Sequence, residues 1–128
     1  MLAVFLSHID SFQIAHRRRI RSLHVVMPQL AYAEETVVGF AQCQLRYDYV
    51  EGTASSPVGY LEGIYVADGY RQQGFARELL AACESWAKTK GCTEFASDCE
   101  LDNTQSLQFH LNVGFEEANR IICFTKKL

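Results

Sequence analysis

The chain has 128 residues, a length that suits one compact domain over residues 1–128 and leaves no room for two. Its apolar fraction of 48% is ordinary for a globular protein, and no apolar run approaches the roughly 20 residues of a membrane span. Residues 1–27 hold 4 of the 12 basic and 1 of the 15 acidic side chains, so the acidic remainder argues against nucleic-acid binding and suits a cationic small molecule.

Residues 30–66 are predicted to form three β-strands. Leu30–Ala33 is a short strand, Glu34–Thr36 a turn, and Val37–Tyr49 a long strand whose residues alternate between two faces. A polar loop rich in breakers follows over residues 51–57, and Val58–Val66 is the third strand. Before these strands, apolar residues between positions 12 and 23 are compatible with one helix.

Two helices are predicted in the second half. Gly74–Lys90 has apolar residues at helical spacing, and Gly91 is a typical helix stop. Glu94–Ser97 is a short strand, and Asn103–Val113 is the second helix. Phe115–Ala118 and Arg120–Thr125 are predicted to close the sheet as an antiparallel pair. The order β-β-β-α-β-α-β-β indicates an α/β fold with a mixed sheet.

The five cysteines include no C-x-x-C pair, and their number is odd. Reduced thiols are therefore favoured over a disulfide scaffold, as expected in the cytoplasm. A zinc site formed by Cys92, Cys99 and His110 is disfavoured by its ligand spacing, and we expect no metal. The apolar start is too short for a secretory signal and lacks basic residues, so we expect a cytoplasmic protein with no membrane attachment.

The segment Arg71-Gln72-Gln73-Gly74-Phe75-Ala76 lies between a predicted strand and a predicted helix. A helix N-terminus offers unpaired N–H groups and a positive dipole end, which suit a pyrophosphate. Gly74 allows close backbone approach, Arg71 adds a charge, and the glutamines add hydrogen-bond donors. A helix start that merely contains glycine is the alternative, since a short R-x-x-G-x-A pattern is weak by itself.

With its surroundings, this loop resembles the acetyl-CoA loop of the GNAT superfamily of N-acetyltransferases, which follows Q/R-x-x-G-x-G/A. The segments Ser56–Val66, Cys92–Asp98 and Leu101–Asn103 closely resemble aminoglycoside 6′-N-acetyltransferases, as do Tyr47–Thr53 and Phe124–Lys127. The resemblance covers about residues 28–128. It implies a GNAT-type, mostly antiparallel sheet flanked by helices, with residues 28–128 as the acetyl-CoA-binding core.

The resemblance also implies a cofactor site in which the backbone of the third strand pairs with the pantetheine arm. The loop and the start of the next helix hold the pyrophosphate, and Asn103 touches CoA as well. The implied acetyl-CoA-binding residues are Ile64, Tyr65, Val66, Arg71, Gln72, Gln73, Gly74, Phe75, Ala76, Arg77 and Asn103.

On the acceptor side, the resemblance implies that Tyr49, Glu62 and Asp98 bind a cationic aminoglycoside. Glu62 would take a proton from the 6′-amine directly or through water, and a strand N–H near Val66 would stabilise the oxyanion. Asp98 and His110 complete the candidate catalytic set; many superfamily members have Tyr where this chain has His110. From the residues alone, a turn-capping role for Asp98, a strand aromatic role for Tyr49 and a packed core role for His110 stay open.

Residues 1–27 depart from the family, whose members begin with a strand and two helices beside the acceptor site. The N-terminal part is therefore expected to be shortened or divergent. Two alternatives to an aminoglycoside acetyltransferase stay open: an acetyltransferase for another small or protein amine, and a non-catalytic CoA-binding module. The resemblance further implies a homodimer.

Overall fold

The computed structural model describes residues 26–128 and their side chains from residue 29 onward. In this part of the chain, three antiparallel strands come first. Strand β1 spans Val26–Ala33, β2 spans Thr36–Arg46 and β3 spans Val58–Val66. All three predicted strands are confirmed. Strand β2 ends at Arg46, earlier than the predicted Tyr49, because Arg46 pairs with Val58, the first residue of β3, and later residues have no partner strand.

The second half contains two helices and one short strand. A 3₁₀ turn at Asp68–Tyr70 leads to helix α1 over Phe75–Thr89. Strand β4, Phe95–Ser97, and helix α2, Thr104–Asn112, follow within a residue of their predicted bounds. Within the described residues the sheet has the order β1-β2-β3-β4, with β4 parallel to β3 and the other pairs antiparallel. The expected mixed, mostly antiparallel sheet is thus confirmed.

Helix α1 packs on one face of the sheet and forms the core with it. Buried α1 residues meet buried residues of β2 and β3, namely Leu79, Leu80 and Cys83 against Ala41, Cys43, Leu61 and Val66. Gly59 allows α1 and the Phe95 ring of β4 to pack closely against β3, because a Cβ there would lie 2.7 Å from Ala87 Cβ and 2.5 Å from a Phe95 ring carbon. Neither helix of the described part has the length and apolar character that crossing a membrane requires.

The predicted closing pair of strands is wrong. Residues 115–128 have no regular secondary structure. Only Asn119 separates the two predicted strands, whereas a tight hairpin connection has two residues, so the segments cannot pair with each other. Phe115 instead packs against Phe95, and the residues after Asn119 are exposed. The possible N-terminal helix between residues 12 and 23 lies outside the described residues.

Candidate active site

A cleft of about 1060 Å³ opens where β3 and β4 separate. The parallel pairing of these strands covers only Gly59–Leu61 and Phe95–Ser97. Beyond Leu61, the edge of β3 that faces away from β2 has no strand partner in the region 26–128. Backbone groups of Ile64–Val66 on this edge, other than the Val66 carbonyl that accepts from Arg71, are therefore available to an extended ligand.

Glu62 is the extra residue of a β-bulge on β3. Gln42 pairs with Gly63 whereas Cys43 pairs with Leu61, so Glu62 has no residue opposite it on β2. A bulge changes the direction of a side chain relative to its strand and is common beside active sites. Here it occurs where the cleft begins, and Glu62 lines the cleft.

The Glu62 carboxylate is buried, with 4% of the residue exposed, and it is ion-paired. Its Oε1 accepts hydrogen bonds from Arg46 Nη2 at 2.7 Å, from Arg46 Nε at 3.1 Å, and from Gln44 Nε2. A cation and an amide donor offset the cost of burying a carboxylate on this strand. Because these bonds all end on Oε1, Oε2 is the oxygen left for a ligand in the cleft.

Asp98 is connected to Glu62 through Tyr60 and Arg46. The Tyr60 hydroxyl donates to Asp98 Oδ2 at 2.6 Å, and the Arg46 guanidinium carbon lies 3.3 Å from the Tyr60 ring centroid. Burial, followed by the hydrogen bond to Asp98, raises the pKa of Tyr60 above its usual range, so this phenol keeps its proton. Buried Glu62 and exposed Asp98 are therefore linked by the side chains of Arg46 and Tyr60.

Sequence reasoning missed Gln44, Arg46 and Tyr60. Their spacing carried a signal, because Gln44 and Arg46 are two residues apart on β2, as are Tyr60 and Glu62 on β3. Alternation places each pair on one face of its strand. Polar residues that share a face inside otherwise apolar strands indicate a buried polar cluster.

The loop before α1 has the geometry of an anion-binding site. Gln72 and Gly74 both have left-handed backbones, with φ of 60° and 88°. Left-handed residues in such a turn direct successive N–H groups into a concave nest. Helix α1 begins at Phe75 with Gly74 as its N-cap and no side-chain cap, so the N–H groups of its first turn are not taken by a capping side chain.

Arg71 holds this loop to the end of β3. Its Nε donates to the Val66 carbonyl at 2.9 Å, and its Nη1 lies 2.9 Å from Asp68 Oδ1. Arg71 still lines the cleft, as does Arg77. The Gln73 amide is directed away, towards the Gly69 carbonyl at 3.4 Å.

On the opposite wall, Asn103 is the N-cap of α2. Its Oδ1 accepts from Ser106 N at 3.0 Å, which satisfies one of the free N–H groups of the helix. His110 lies in the last turn of α2, where Nδ1 is 2.7 Å from the Ser106 carbonyl and Nε2 is 2.8 Å from Ser97 Oγ. Ser97 also lines the cleft and was missed, since a lone serine carries no sequence signal.

Most of the candidate residues meet in this one cleft. Those that line it are Glu62, Ile64, Tyr65, Val66, Arg71, Gln72, Gly74, Phe75, Ala76, Arg77, Asp98, Asn103 and His110. Tyr49 and Gln73 do not line it, and Tyr49 is 77% exposed in the loop after β2. In the part of the chain that the structure describes, no group of three or more His, Cys, Asp or Glu side chains is arranged to hold a metal ion.

The cleft is charged differently at its two ends. Arg71 and the start of α1 with Arg77 follow the C-terminal end of β3, whereas Glu62 lies at the bulge in the middle of β3 and Asp98 follows β4. Glu100 also lines the cleft. The basic end suits phosphates, and the acidic residues suit a cation.

Comparison with known proteins gives consistent matches. The sequence pattern of the Acetyltransferase (GNAT) family matches residues 5–115, so the likeness reaches further towards the N-terminus than residues 28–128. The chain is 41% identical over 120 residues to an aminoglycoside N(6′)-acetyltransferase type 1 from Salmonella typhimurium, covering 94% of this chain and 83% of that protein.

Solved structures agree with the sequence matches. A structure of aminoglycoside N-acetyltransferase AAC(6′)-Iy in complex with CoA superposes with a TM-score of 0.81 at 39% identity, covering 100% of this chain and 97% of that one. The same type of enzyme in complex with the bisubstrate analogue CoA-S-monomethyl-acetylneamine gives a TM-score of 0.79 at 39% identity, covering 93% of this chain and 80% of that one.

Proposed function

This chain belongs to the Acetyltransferase (GNAT) family, and on that premise we propose that it transfers the acetyl group of acetyl-CoA to the 6′-amino group of an aminoglycoside antibiotic, conferring resistance. The observation that carries the proposal is a single cleft that combines an anion-binding helix start with buried, ion-paired Glu62 and with Asp98. Acetyl-CoA carries phosphates and an amide-containing arm, and an aminoglycoside is a polycation. Both ends of the cleft are therefore accounted for by one pair of substrates.

The cofactor residues suit acetyl-CoA. The unpaired edge at Ile64–Val66 would pair with the amides of the pantetheine arm, and the nest at Gln72–Gly74 with the first turn of α1 would hold the pyrophosphate. Arg77 supplies a positive charge on the same side. Since Asn103 caps α2, its contact with CoA would come from a group other than the Oδ1 that Ser106 already occupies.

On the acceptor side, Glu62 Oε2 and Asp98 bind the ammonium groups of the aminoglycoside. The 6′-amine must lose a proton before it attacks the thioester, and either carboxylate can accept it directly or through water. Attack forms the C–N bond, and a strand N–H in Ile64–Val66 stabilises the oxyanion that develops. Tyr49 belongs to the proposed acceptor side only if the loop after β2 turns towards the cleft when substrate binds.

Thiol release from acetyl-CoA tests the activity. We expect release with kanamycin or tobramycin and none without an amine, and mass spectrometry should locate the acetyl group at the 6′ nitrogen. An aminoglycoside with a hydroxyl at the 6′ carbon is the matched control and should not be acetylated. Release with spermidine or a protein N-terminus alone would instead support another amine acceptor. CoA binding by calorimetry without any release would indicate a non-catalytic module.

Glu62→Gln tests the acceptor site. It should lower kcat by about 100-fold, the low end for general acid–base groups, and leave the dissociation constant of CoA unchanged. Glu94→Gln is the matched control, because Glu94 holds the exposed loop at Ala54 and Ser55 and does not line the cleft. Normal turnover in Glu62→Gln would remove Glu62 from this role.

We also propose a homodimeric, cytoplasmic protein whose residues 1–128 form one domain, with residues 28–128 as its acetyl-CoA-binding core. Exposed apolar side chains of the C-terminal segment support the dimer, namely Ile121, Ile122, Phe124 and Leu128. The five free cysteines support a reducing compartment. Light scattering checks the mass in solution, and Ile122→Asp should shift it towards the monomer.

A further inference from the structure

A serine and a histidine form a hydrogen-bonded pair on the wall of the cleft opposite α1. Ser97 is the last residue of β4, at the point where β4 parts from β3, and His110 lies in the last turn of α2. Both side chains line the cleft, and Ser97 Oγ is 2.8 Å from His110 Nε2.

The hydrogen bonds of this pair indicate where its protons lie. The Ser106 carbonyl, 2.7 Å from His110 Nδ1, can only accept, so Nδ1 carries a proton. The Leu61 carbonyl, 3.3 Å from Ser97 Oγ, can only accept as well, so the serine hydroxyl donates to it. Ser97 Oγ is then free to accept from Nε2. All these bonds are made together when His110 is an imidazolium.

The surroundings of His110 hold its ring and place acidic side chains in the same cleft. The C-terminal turn of a helix stabilises positive charge, and Asp98 and Glu100 line the same cleft. The imidazole is packed between Phe109 and Phe115, with ring centroids 5.7 Å and 5.1 Å away. The ring is thus fixed in the orientation that points Nε2 at Ser97.

The position of Ser97 matches the reactive end of the proposed cofactor. From Val66, beside the anion-binding loop, to Glu62, at the bulge, β3 runs about 13 Å at roughly 3.3 Å per residue. A pantetheine arm that pairs with this edge brings the thioester close to Glu62, and Leu61, the residue before it, pairs with Ser97. The sulfur would therefore lie on the side of the cleft where the serine hydroxyl is.

We propose that Ser97 is a catalytic residue that protonates the departing thiolate, and that His110 is the positioning residue that returns the proton. This inference rests on the proposed function. When the amine nitrogen has bonded to the carbonyl carbon, the C–S bond breaks and its electron pair goes to sulfur. Sulfur takes the Ser97 proton, Ser97 Oγ takes the Nε2 proton, and neutral His110 keeps its proton on Nδ1. Solvent then reprotonates Nε2.

Steady-state kinetics with kanamycin test the pair. Ser97→Ala should lower kcat by about 100-fold, as for loss of a general acid, with the KM for acetyl-CoA and the dissociation constant of CoA unchanged. Ser97→Thr keeps the hydroxyl and should restore most of the kcat. In His110→Gln, the glutamine amide can still hydrogen-bond to Ser97 but cannot pass on a proton, so kcat should fall. The double variant Ser97→Ala/His110→Gln should be no slower than Ser97→Ala alone, because both residues act in the same step.

The control is Ser55→Ala, which removes a hydroxyl bonded to Glu94 outside the cleft and should leave kcat unchanged. Wild-type kcat in Ser97→Ala overturns the inference, and so does an acetyl group on Ser97 in the intact mass after acetyl-CoA is added without amine. Either result leaves the proposed function standing if the wild type turns over. No thiol release by the wild type with any amine overturns both.

Discussion

The two ends of the cleft are built differently. Every residue proposed to contact the cofactor, except Asn103, lies within Ile64–Arg77. Most of these contacts come from backbone groups of a strand edge, a loop and a helix start. The proposed acceptor end, which contains Glu62 and Asp98, instead combines side chains of separate segments, joined through Arg46 and Tyr60.

This difference teaches where the site is sensitive to change. Most substitutions leave backbone donors in place, and these donors are lost only when a substitution changes the backbone conformation. A cluster of charged and polar side chains around a buried carboxylate depends on each member, because removing one leaves its partner unsatisfied. We therefore expect the largest loss of stability at the acceptor end, and losses of CoA binding at the cofactor end.

Arg46→Met should have the largest effect, because it leaves the buried Glu62 carboxylate without its cation. We expect the free energy of unfolding to fall by about 2 kcal/mol, below the roughly 3–5 kcal/mol of fully buried pairs, because the Arg46 side chain is 29% exposed. Urea denaturation measures it. In a Glu62→Gln background the same change should cost much less, and an equal cost in both backgrounds would contradict the role of the ion pair.

Gly74→Val tests the cofactor end. At φ 88° a β-branched residue is strained, and we expect a loss of about 1–2 kcal/mol with roughly tenfold weaker CoA binding as the nest deforms. Calorimetry measures the binding. Gly69→Ala is the matched control, because Gly69 has no positive φ and a Cβ there meets nothing within 4 Å. Similar CoA affinities in both variants would show that the nest is not required.

Tyr60→Phe removes the hydroxyl that donates a hydrogen bond to Asp98, and it should weaken binding of the aminoglycoside alone. We expect the KM for the aminoglycoside to rise by about tenfold, equivalent to about 1.4 kcal/mol for a hydrogen bond to a charged group, with CoA binding unchanged. A parallel rise in the dissociation constant of CoA would contradict the separation of the two ends.

The same residue predicts a pH dependence. Since burial and Asp98 raise the pKa of Tyr60, the folded state holds this proton more tightly than the unfolded state. Its contribution to stability is full below the ordinary tyrosine value of about 10 and is lost as pH rises through the raised pKa. Unfolding measured above pH 10 should therefore show a steeper loss in the wild type than in Tyr60→Phe.

Asn103→Ala should have the smallest effect and distinguishes a structural role from a cofactor contact. Loss of the N-cap bond to Ser106 should lower the free energy of unfolding by about 1 kcal/mol. Asn103→Ser keeps the cap and should restore the stability. If CoA affinity also recovers in Asn103→Ser, the residue acts through α2, whereas a persistent loss indicates direct contact with CoA.

The sequence predicted most of the elements and much of the cleft. Alternation between two faces predicted β2, and helical spacing predicted α1, because these periods follow from the backbone itself. The closing strand pair over 115–118 and 120–125 was wrong, since strand-forming residues cannot pair across a single connecting residue. Tyr49 was placed by resemblance alone, and its position outside the cleft depends on where a loop turns.

What the sequence alone determined is the local geometry of the proposed cofactor end, because a strand, a turn around Gly74 and a helix start are adjacent along the chain and fix one another locally. Tertiary structure decided the acceptor end. The bulge at Glu62 and the register of β2 on β3 bring Arg46 to that carboxylate. The packing of α2 beside β4 brings His110 to Ser97. Such contacts join residues that are far apart in sequence, and no local sequence pattern specifies how close they come in space.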